Sequence, residues 1–220
     1  MRKWRCTICD YIFEGDEPPT ACPICGVGPE KFVLLEETTA ELTVETIQSA
    51  TPETAEAALA TISYGLFVVT ASWDGRANGQ CANTVFQLTS LPSVIAVSLH
   101  KKSLTNEFVC KSGVFTVSVL RRDENGLAMV RHFGYQSGRK VEKCAMLDMP
   151  TARNGCPIVR DAVSYFEAQV LPDKVIDVGS HILFVARVTS GRVLQKAPAL
   201  TYEYYNEWKA AEKTKGALSR

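Results

Sequence analysis

Four cysteines near the start of the chain, Cys6, Cys9, Cys22 and Cys25, stand as two Cys-x-x-Cys pairs in the run WRCTICDYIFEGDEPPTACPICG. Each pair supplies two thiolates from a tight turn whose backbone amides can bond back to the sulfurs, and two such pairs can converge on one tetrahedral ion. Thiolates in that geometry accept iron or zinc alike, so the spacing predicts a metal site and leaves the metal open. A second group of residues suits a phosphate-bearing ligand. Lys101, Lys102, Ser103, Thr105 and Asn106 bring two ammonium groups and two hydroxyls to the start of a predicted helix, an arrangement that attracts anions. A Ser or Thr before a helix is by itself an ordinary N-cap. The segment Gln80–Gln87 (QCANTVFQ) reads as a polar start to an otherwise apolar strand. His181 opens another apolar strand, a place where a histidine is commonly part of the core.

These groups must be carried by a small module and a larger domain. Residues 1–36 hold too little apolar content for a core, and modules of that size depend on a metal or on disulfides. Residues 37–56 (ETTAELTVETIQSATPETAE) are acidic and Thr-rich with no basic residue, and read as a linker with at most a short helical turn. From residue 57 to 205 the segments LFVVTAS, VIAVSLH, VFTVSVL, SYFEAQVL and HILFVARV have strand composition, with WDGRANG read as a loop after the first. SLTNEFVCKSG and DENGLAMVRHFG have helical spacing and end at glycine. About six short strands with helical excursions predict a mainly β chain: a metal knuckle followed by an antiparallel barrel. Residues 206–220 read as a helix with a frayed basic end. No GxGxxG follows a strand, which leaves a Rossmann reading without support.

The 220 residues carry 24 Lys+Arg and 24 Asp+Glu, but not evenly. Residues 1–60 hold 4 basic against 11 acidic side chains, a net of −7, so residues 61–220 carry +7. An acidic metal module tethered to a basic domain can be steered onto it, and such steering weakens with salt. No basic stripe with interleaved aromatics points to nucleic acid. No secretory leader is visible and no apolar run approaches the roughly 18 residues of a membrane helix, so a cytoplasmic location is expected. Cys81, Cys110, Cys144 and Cys156 stand singly and read as small buried hydrophobes in a reducing compartment.

Residues Trp4, Cys6, Cys9, Tyr11, Gly15, Pro18, Pro19, Cys22, Pro23, Cys25, Gly26 and Phe32 resemble the short rubredoxin domain of rubrerythrins. That resemblance implies a single iron held by Cys6, Cys9, Cys22 and Cys25, with Trp4, Tyr11, Phe13 and Phe32 packed around it. Asp10 stands where the family's first knuckle usually has glycine; its carboxylate near the sulfurs would lower the potential. The run N-G-x-x-x-N-T-x-x-Q, here Asn78 to Gln87, is similar to the flavin-wrapping segment of flavin reductase-like, FMN-binding split barrels. RHFGYQSGRKVEK, DVGSHILFVARV and APALTYEYY also match. The resemblance implies an FMN site formed by Asn78, Gly79, Gln80, Cys81, Ala82, Asn83, Thr84, Gln87, His100, Lys101, Ser103, Thr105, His132 and Gly134. It places His181 beside the flavin or the incoming nicotinamide as the catalytic position. Arg131 and Arg139 are expected near the open flavin face, and Trp73 over the flavin or capping the barrel.

A rubredoxin fused to this flavin domain resembles the high-molecular-weight rubredoxins. Such proteins pass electrons from NADH or NADPH through FMN to iron and on to a flavodiiron protein or a rubrerythrin. The same resemblance implies a homodimer with flavin near the interface. Two other readings stand beside it. One is an NAD(P)H-dependent flavin or ferric reductase whose N-terminal module holds structural zinc. The other is a passive redox relay that never binds a nicotinamide.

Overall fold

The computed structural model describes residues 2–9, 11–35 and 43–218; Asp10 and residues 36–42 of the acidic segment lie outside the described residues. It divides into two compact units, Met1–Ile62 with Asn206–Arg220, and Ser63–Tyr205.

In the first unit, strand β1 (Arg2–Cys6) lies between β2 (Ile12–Gly15) and β3 (Phe32–Leu35) in an antiparallel sheet. The two cysteine turns close alike: Cys6 N–H donates to Tyr11 O at 2.9 Å and Cys22 N–H to Val27 O at 2.8 Å. Gly26 sits in the second turn at φ 72°, a left-handed conformation that favours glycine. The core of so small a unit is Cys6, Cys22 and Phe32, with Trp4, Tyr11, Phe13, Ile24 and Val27 packed against them. Two short helices follow, α1 (Val44–Gln48) and α2 (Pro52–Leu59). Thr51 and Thr54 cap α2 reciprocally, each hydroxyl accepting the other's backbone N–H, with Pro52 in the first turn. No α2 residue is buried, so capping rather than packing defines this helix. The acidic segment is therefore more helical than its composition suggested.

The second unit is a seven-stranded antiparallel sheet. Its strands are β4 (Phe67–Trp73), β5 (Arg76–Ala82), β6 (Val85–Ser90), β7 (Ser93–His100), β8 (Val114–Val119), β9 (Ser164–Asp177) and β10 (His181–Val193). They run in the order β5-β4-β8-β9-β10-β7-β6. Alternate residues of β4, β7, β8, β9 and β10 face one core with Val69, Val97, Leu99, Phe115, Val117 and Phe184 at its centre. Helix α3 (Leu104–Ser112) sets Leu104, Phe108 and Val109 into that core. Ser103 caps α3 through Asn106 N–H at 3.1 Å, and Gly113 at φ 69° ends it. Helix α4 (Glu124–Gly134) is capped by Asp123, which accepts Gly126 N–H at 3.0 Å. Helix α5 (Tyr202–Leu218) is the last element of the chain's described residues.

Two expectations need correction. WDGRANG is not a loop: Asp74 (φ 51°) and Gly75 (φ 72°) form a two-residue hairpin turn, and Arg76 onward is strand β5. Both central residues of such a turn take positive φ, which Asp-Gly supplies. QCANTVFQ is not one strand either, because β5 ends at Ala82 and β6 begins at Val85, with Asn83 and Thr84 between them.

Candidate functional site

Each unit presents one candidate centre. In the first, the sulfurs of Cys6 and Cys25 lie 3.6 Å apart, those of Cys9 and Cys22 3.5 Å apart, and all four within 4.8 Å of one another. A regular tetrahedron of thiolates about 2.3 Å from a metal has edges of about 3.8 Å, so the donor set fits a Cys₄-bound ion. Backbone amides point at the sulfurs: those of Ile8 and Cys9 at Cys6, that of Tyr11 at Cys9, and that of Val27 at Cys25. Burial opposes ionisation of Cys6, yet the Ile8 and Cys9 amides and the neighbouring sulfurs bring it down to about 7. Cys9 is pushed up to about 12, by burial first and then by the sulfurs around it. Four thiolates this close demand a cation among them. Cys6 and Cys22 are buried, Cys9 is partly covered and Cys25 is exposed.

In the second unit a cleft of about 230 Å³ opens between β5, the start of α3 and the end of α4. Of the residues expected at the flavin, Asn78, Gln80, Cys81, Ser103, Thr105 and Gly134 line it. Asn78, 2 % exposed, donates through Nδ2 to Thr105 Oγ1 at 2.8 Å, tying β5 to α3. Gly79 has no room for a side chain: a Cβ would meet Phe133 at 2.9 Å and Thr70 at 3.0 Å. Gly138 is tighter, its Cβ falling 2.2 Å from Asn78 Oδ1. Burial pushes Cys81 up to about 12 against the pull of Lys143, so it stays a thiol.

Other expected residues lie elsewhere. Ala82 points into the core, and Asn83 and Thr84 occupy the break after β5, where Thr84 O accepts Ser98 N–H at 3.1 Å. Gln87 lines a separate hollow of about 350 Å³ with Phe67 and Phe86. His100 and His181 are register partners on β7 and β10, their rings edge to face with centroids 5.0 Å apart. His181 Nδ1 is 2.8 Å from Ser180 Oγ, and His100 Nδ1 accepts Lys102 N–H at 3.1 Å. Lys101 pairs with Asp177 at 2.5 Å rather than lining the cleft. His132 Nε2 is 2.9 Å from Lys143 O. Arg139 binds Lys102 O and Glu107, and Trp73 sits half exposed at the hairpin end. Of the single cysteines, Cys144 and Cys156 are buried as expected, whereas Cys110 is exposed. The sequence reading missed Gln136, Ser137, Gly138 and above all Lys143, a lysine 3 % exposed that lines the cleft. Lys143 closes the run RHFGYQSGRKVEK that resembles the family, but nothing in the polar composition of that run marks this lysine as buried.

This cleft beside a seven-stranded antiparallel sheet has counterparts in known proteins. Residues 59–209 match the flavin reductase like domain and residues 4–33 the rubrerythrin, rubredoxin-like domain. The chain belongs to the flavin reductase-like family. It carries a rubredoxin-like Cys₄ module in front of that domain and is an oxidoreductase of flavin reductase type. It is 40% identical over 161 residues to the high molecular weight rubredoxin of Moorella thermoacetica, a match covering 73% of this chain and 69% of that one. It is 44% identical over 146 residues to the ferric-chelate reductase (NAD(P)H) of Archaeoglobus fulgidus, covering 66% of this chain and 85% of the relative. The FMN-binding protein of Thermus thermophilus with bound p-hydroxybenzaldehyde superposes with a TM-score of 0.56 at 26% identity, over 61% of this chain and 74% of that one. No helix among the described residues is long and apolar enough to cross a membrane.

Proposed function

We propose that this chain is a two-centre electron-transfer oxidoreductase. Electrons from NADH or NADPH enter at FMN in the cleft of the second unit and leave through an iron held by Cys6, Cys9, Cys22 and Cys25. The observation that carries this reading is one polypeptide with both a polar cleft at a helix N-terminus and four sulfurs at tetrahedral spacing. Bound FMN supplies exchange between two-electron and one-electron chemistry, and a Cys₄ iron supplies a one-electron store.

The chain's own groups have plain tasks. Asn78 and Thr105 hold β5 against α3, fixing the cleft width. Gly79 and Gly138 let backbone approach where a side chain would fill the space. The Cys81 thiol stays protonated and so puts neither a negative charge nor a nucleophilic sulfur at the cleft wall. The amides of Ile8, Cys9, Tyr11 and Val27 stabilise thiolate charge at the metal site. His181, outside the cleft with its imidazole against Ser180 and His100, keeps its proposed role as a contact for the incoming nicotinamide or the flavin.

We assign residues 1–36 to the metal module, 37–56 to a tether, 57–205 to the flavin domain and 206–220 to a tail. The acceptor is a redox protein of flavodiiron or rubrerythrin type. A second copy is placed against the β6 side, where Phe86 and Leu88 stand half exposed; light scattering of the purified protein at twice the chain mass checks this. Free thiols at a metal site suit the cytoplasm.

An anaerobic visible spectrum during NADH titration tests the assignment. Thiolate-to-iron bands over a flavin spectrum, bleaching together, are expected. A flavin spectrum without those bands moves the reading to a ferric-chelate or flavin reductase with a zinc module, which the Archaeoglobus relative favours. A flavin that neither NADH nor NADPH bleaches leaves the passive relay.

A further inference from the structure

The second unit holds another cleft, of about 280 Å³, against the first half of α4. The flavin cleft meets that helix only at Phe133 and Gly134, and the two linings share no residue. From Gly126 to Gly134 the helix rises about 12 Å, so a ligand that fills one cleft leaves the other open. The deep side of the second cleft is apolar: Leu120 is 1 % exposed and Val159 5 % exposed. Half-buried Met129 comes from α4, and Leu147 and Met149 from the segment after it. Unbranched thioether side chains adapt to the face or edge of a flat ring. A concave apolar surface with polar groups at its margin is the usual form of a small-molecule site.

The charges in this lining cancel, Arg121 and Arg160 against Asp148 and Asp161. Arg160 and Asp148 satisfy each other across 2.7 Å. Arg121 is less well served. Its side chain is 27 % exposed, and its guanidinium carries five N–H groups. One of them donates a hydrogen bond among the described residues, Nη1 to Gln195 Oε1 at 2.9 Å. Nε stands against the Asp123 carboxylate as an ion pair without donating a hydrogen bond to it. Gln195 is itself fixed, donating through Nε2 to Asp161 O at 2.9 Å and Ala162 O at 3.1 Å. The guanidinium is thus a rigid fork with donors to spare on the wall of an apolar cleft, and such a donor gains from a carbonyl acceptor.

We propose that this cleft binds a neutral, flat ring compound bearing a carbonyl oxygen, of the lactone, ketone or quinone class. The ring lies against Met129 and Met149, and the carbonyl accepts from Arg121. Neutrality follows from a lining without net charge: a carboxylate ligand would meet Asp148 and Asp161 as well as the two arginines. The site stands on its own geometry and does not depend on what fills the flavin cleft. The competing role is structural, Arg121 joining the end of β8 to Gln195 and the cleft holding only water.

Equilibrium dialysis of the purified full chain with three bicyclic probes tests this. Coumarin carries a ring carbonyl, indene lacks one, and 2-naphthoate is an anion. Coumarin should bind roughly tenfold tighter than indene, as one charge-assisted hydrogen bond gives. Arg121→Met should remove that preference, so that the two bind alike. Ala128→Trp, at an exposed position of the lining, should fill the cleft and weaken coumarin by roughly tenfold. Wild-type protein that binds indene as tightly as coumarin, or 2-naphthoate more tightly, overturns the proposal, and those measurements need no variant to fold. Coumarin binding that Ala128→Trp leaves unchanged, or that added FMN displaces, also overturns it, because the ligand then sits elsewhere. Retention of no probe by the wild type leaves the structural role in its place.

Discussion

Asn78 shows how one side chain in this protein serves both stability and the cleft. Buried at 2 % exposure, it donates to Thr105 Oγ1 at 2.8 Å from a strand that composition alone does not reveal. Asn78→Ala leaves Thr105 without that donor and costs about 2 kcal/mol. Calorimetry should show an unfolding temperature lower by about 4–8 °C, with weaker flavin binding. Cys22→Ser removes a buried sulfur of the metal set. Metal content by elemental analysis should fall from about one ion per chain to a small fraction of that, because structural Cys₄ sites bind as a set. Cys144 sets an alkaline limit. Burial, partly offset by Lys143, pushes its thiol up to about 11 from an ordinary 9.0. Between those values the folded chain keeps a proton that the unfolded chain has released, so stability is intact below pH 9 and falls as pH rises toward 11. Cys144→Ala should flatten the decline in a pH series of thermal melts.

At the level of elements, legibility followed chemistry of two kinds. The four ligands were legible because Cys-x-x-Cys turns are local, and strands such as VFTVSVL because β-branched runs need little context. Strand β5, RANGQCA, was not: it holds no β-branched residue and exists because β4 pairs with it across the Asp74–Gly75 turn. The cleft was half legible for the same reason. Asn78, Ser103 and Thr105 were named from their runs, whereas Gly138 and Lys143, though inside the matching run RHFGYQSGRKVEK, take their roles only once the chain after α4 folds back against β5. Glycine substitutions test these approaches. In Gly126→Ala the new Cβ would lie 1.8 Å from Arg121 O, backbone that cannot swing aside, so the start of α4 must shift. A loss of several °C in unfolding temperature is expected, larger than for Gly134→Ala, whose Cβ meets only Cys81 at 3.5 Å.

Over the whole molecule, charge is divided rather than balanced: −7 on residues 1–60 and +7 on the rest. Attraction between unlike charges is damped beyond about 10 Å at 0.1 M salt. Flash reduction of the flavin should therefore be followed by slower iron reduction as sodium chloride rises from 0.02 to about 0.5 M. A rate that ignores salt would show that the two centres communicate without electrostatic help. The metal site has its own asymmetry. Cys6 and Cys22 are sealed, Cys9 is partly covered and Cys25 faces water. A chelator displacing ligands one at a time must begin where it can touch a sulfur. Metal loss should thus be gated at Cys25, and its rate should climb with chelator concentration instead of levelling at the pace of unfolding. The sulfur that faces water is then the weak point of the centre, and the lifetime of the loaded protein among competing thiols is set by that one solvent-facing ligand.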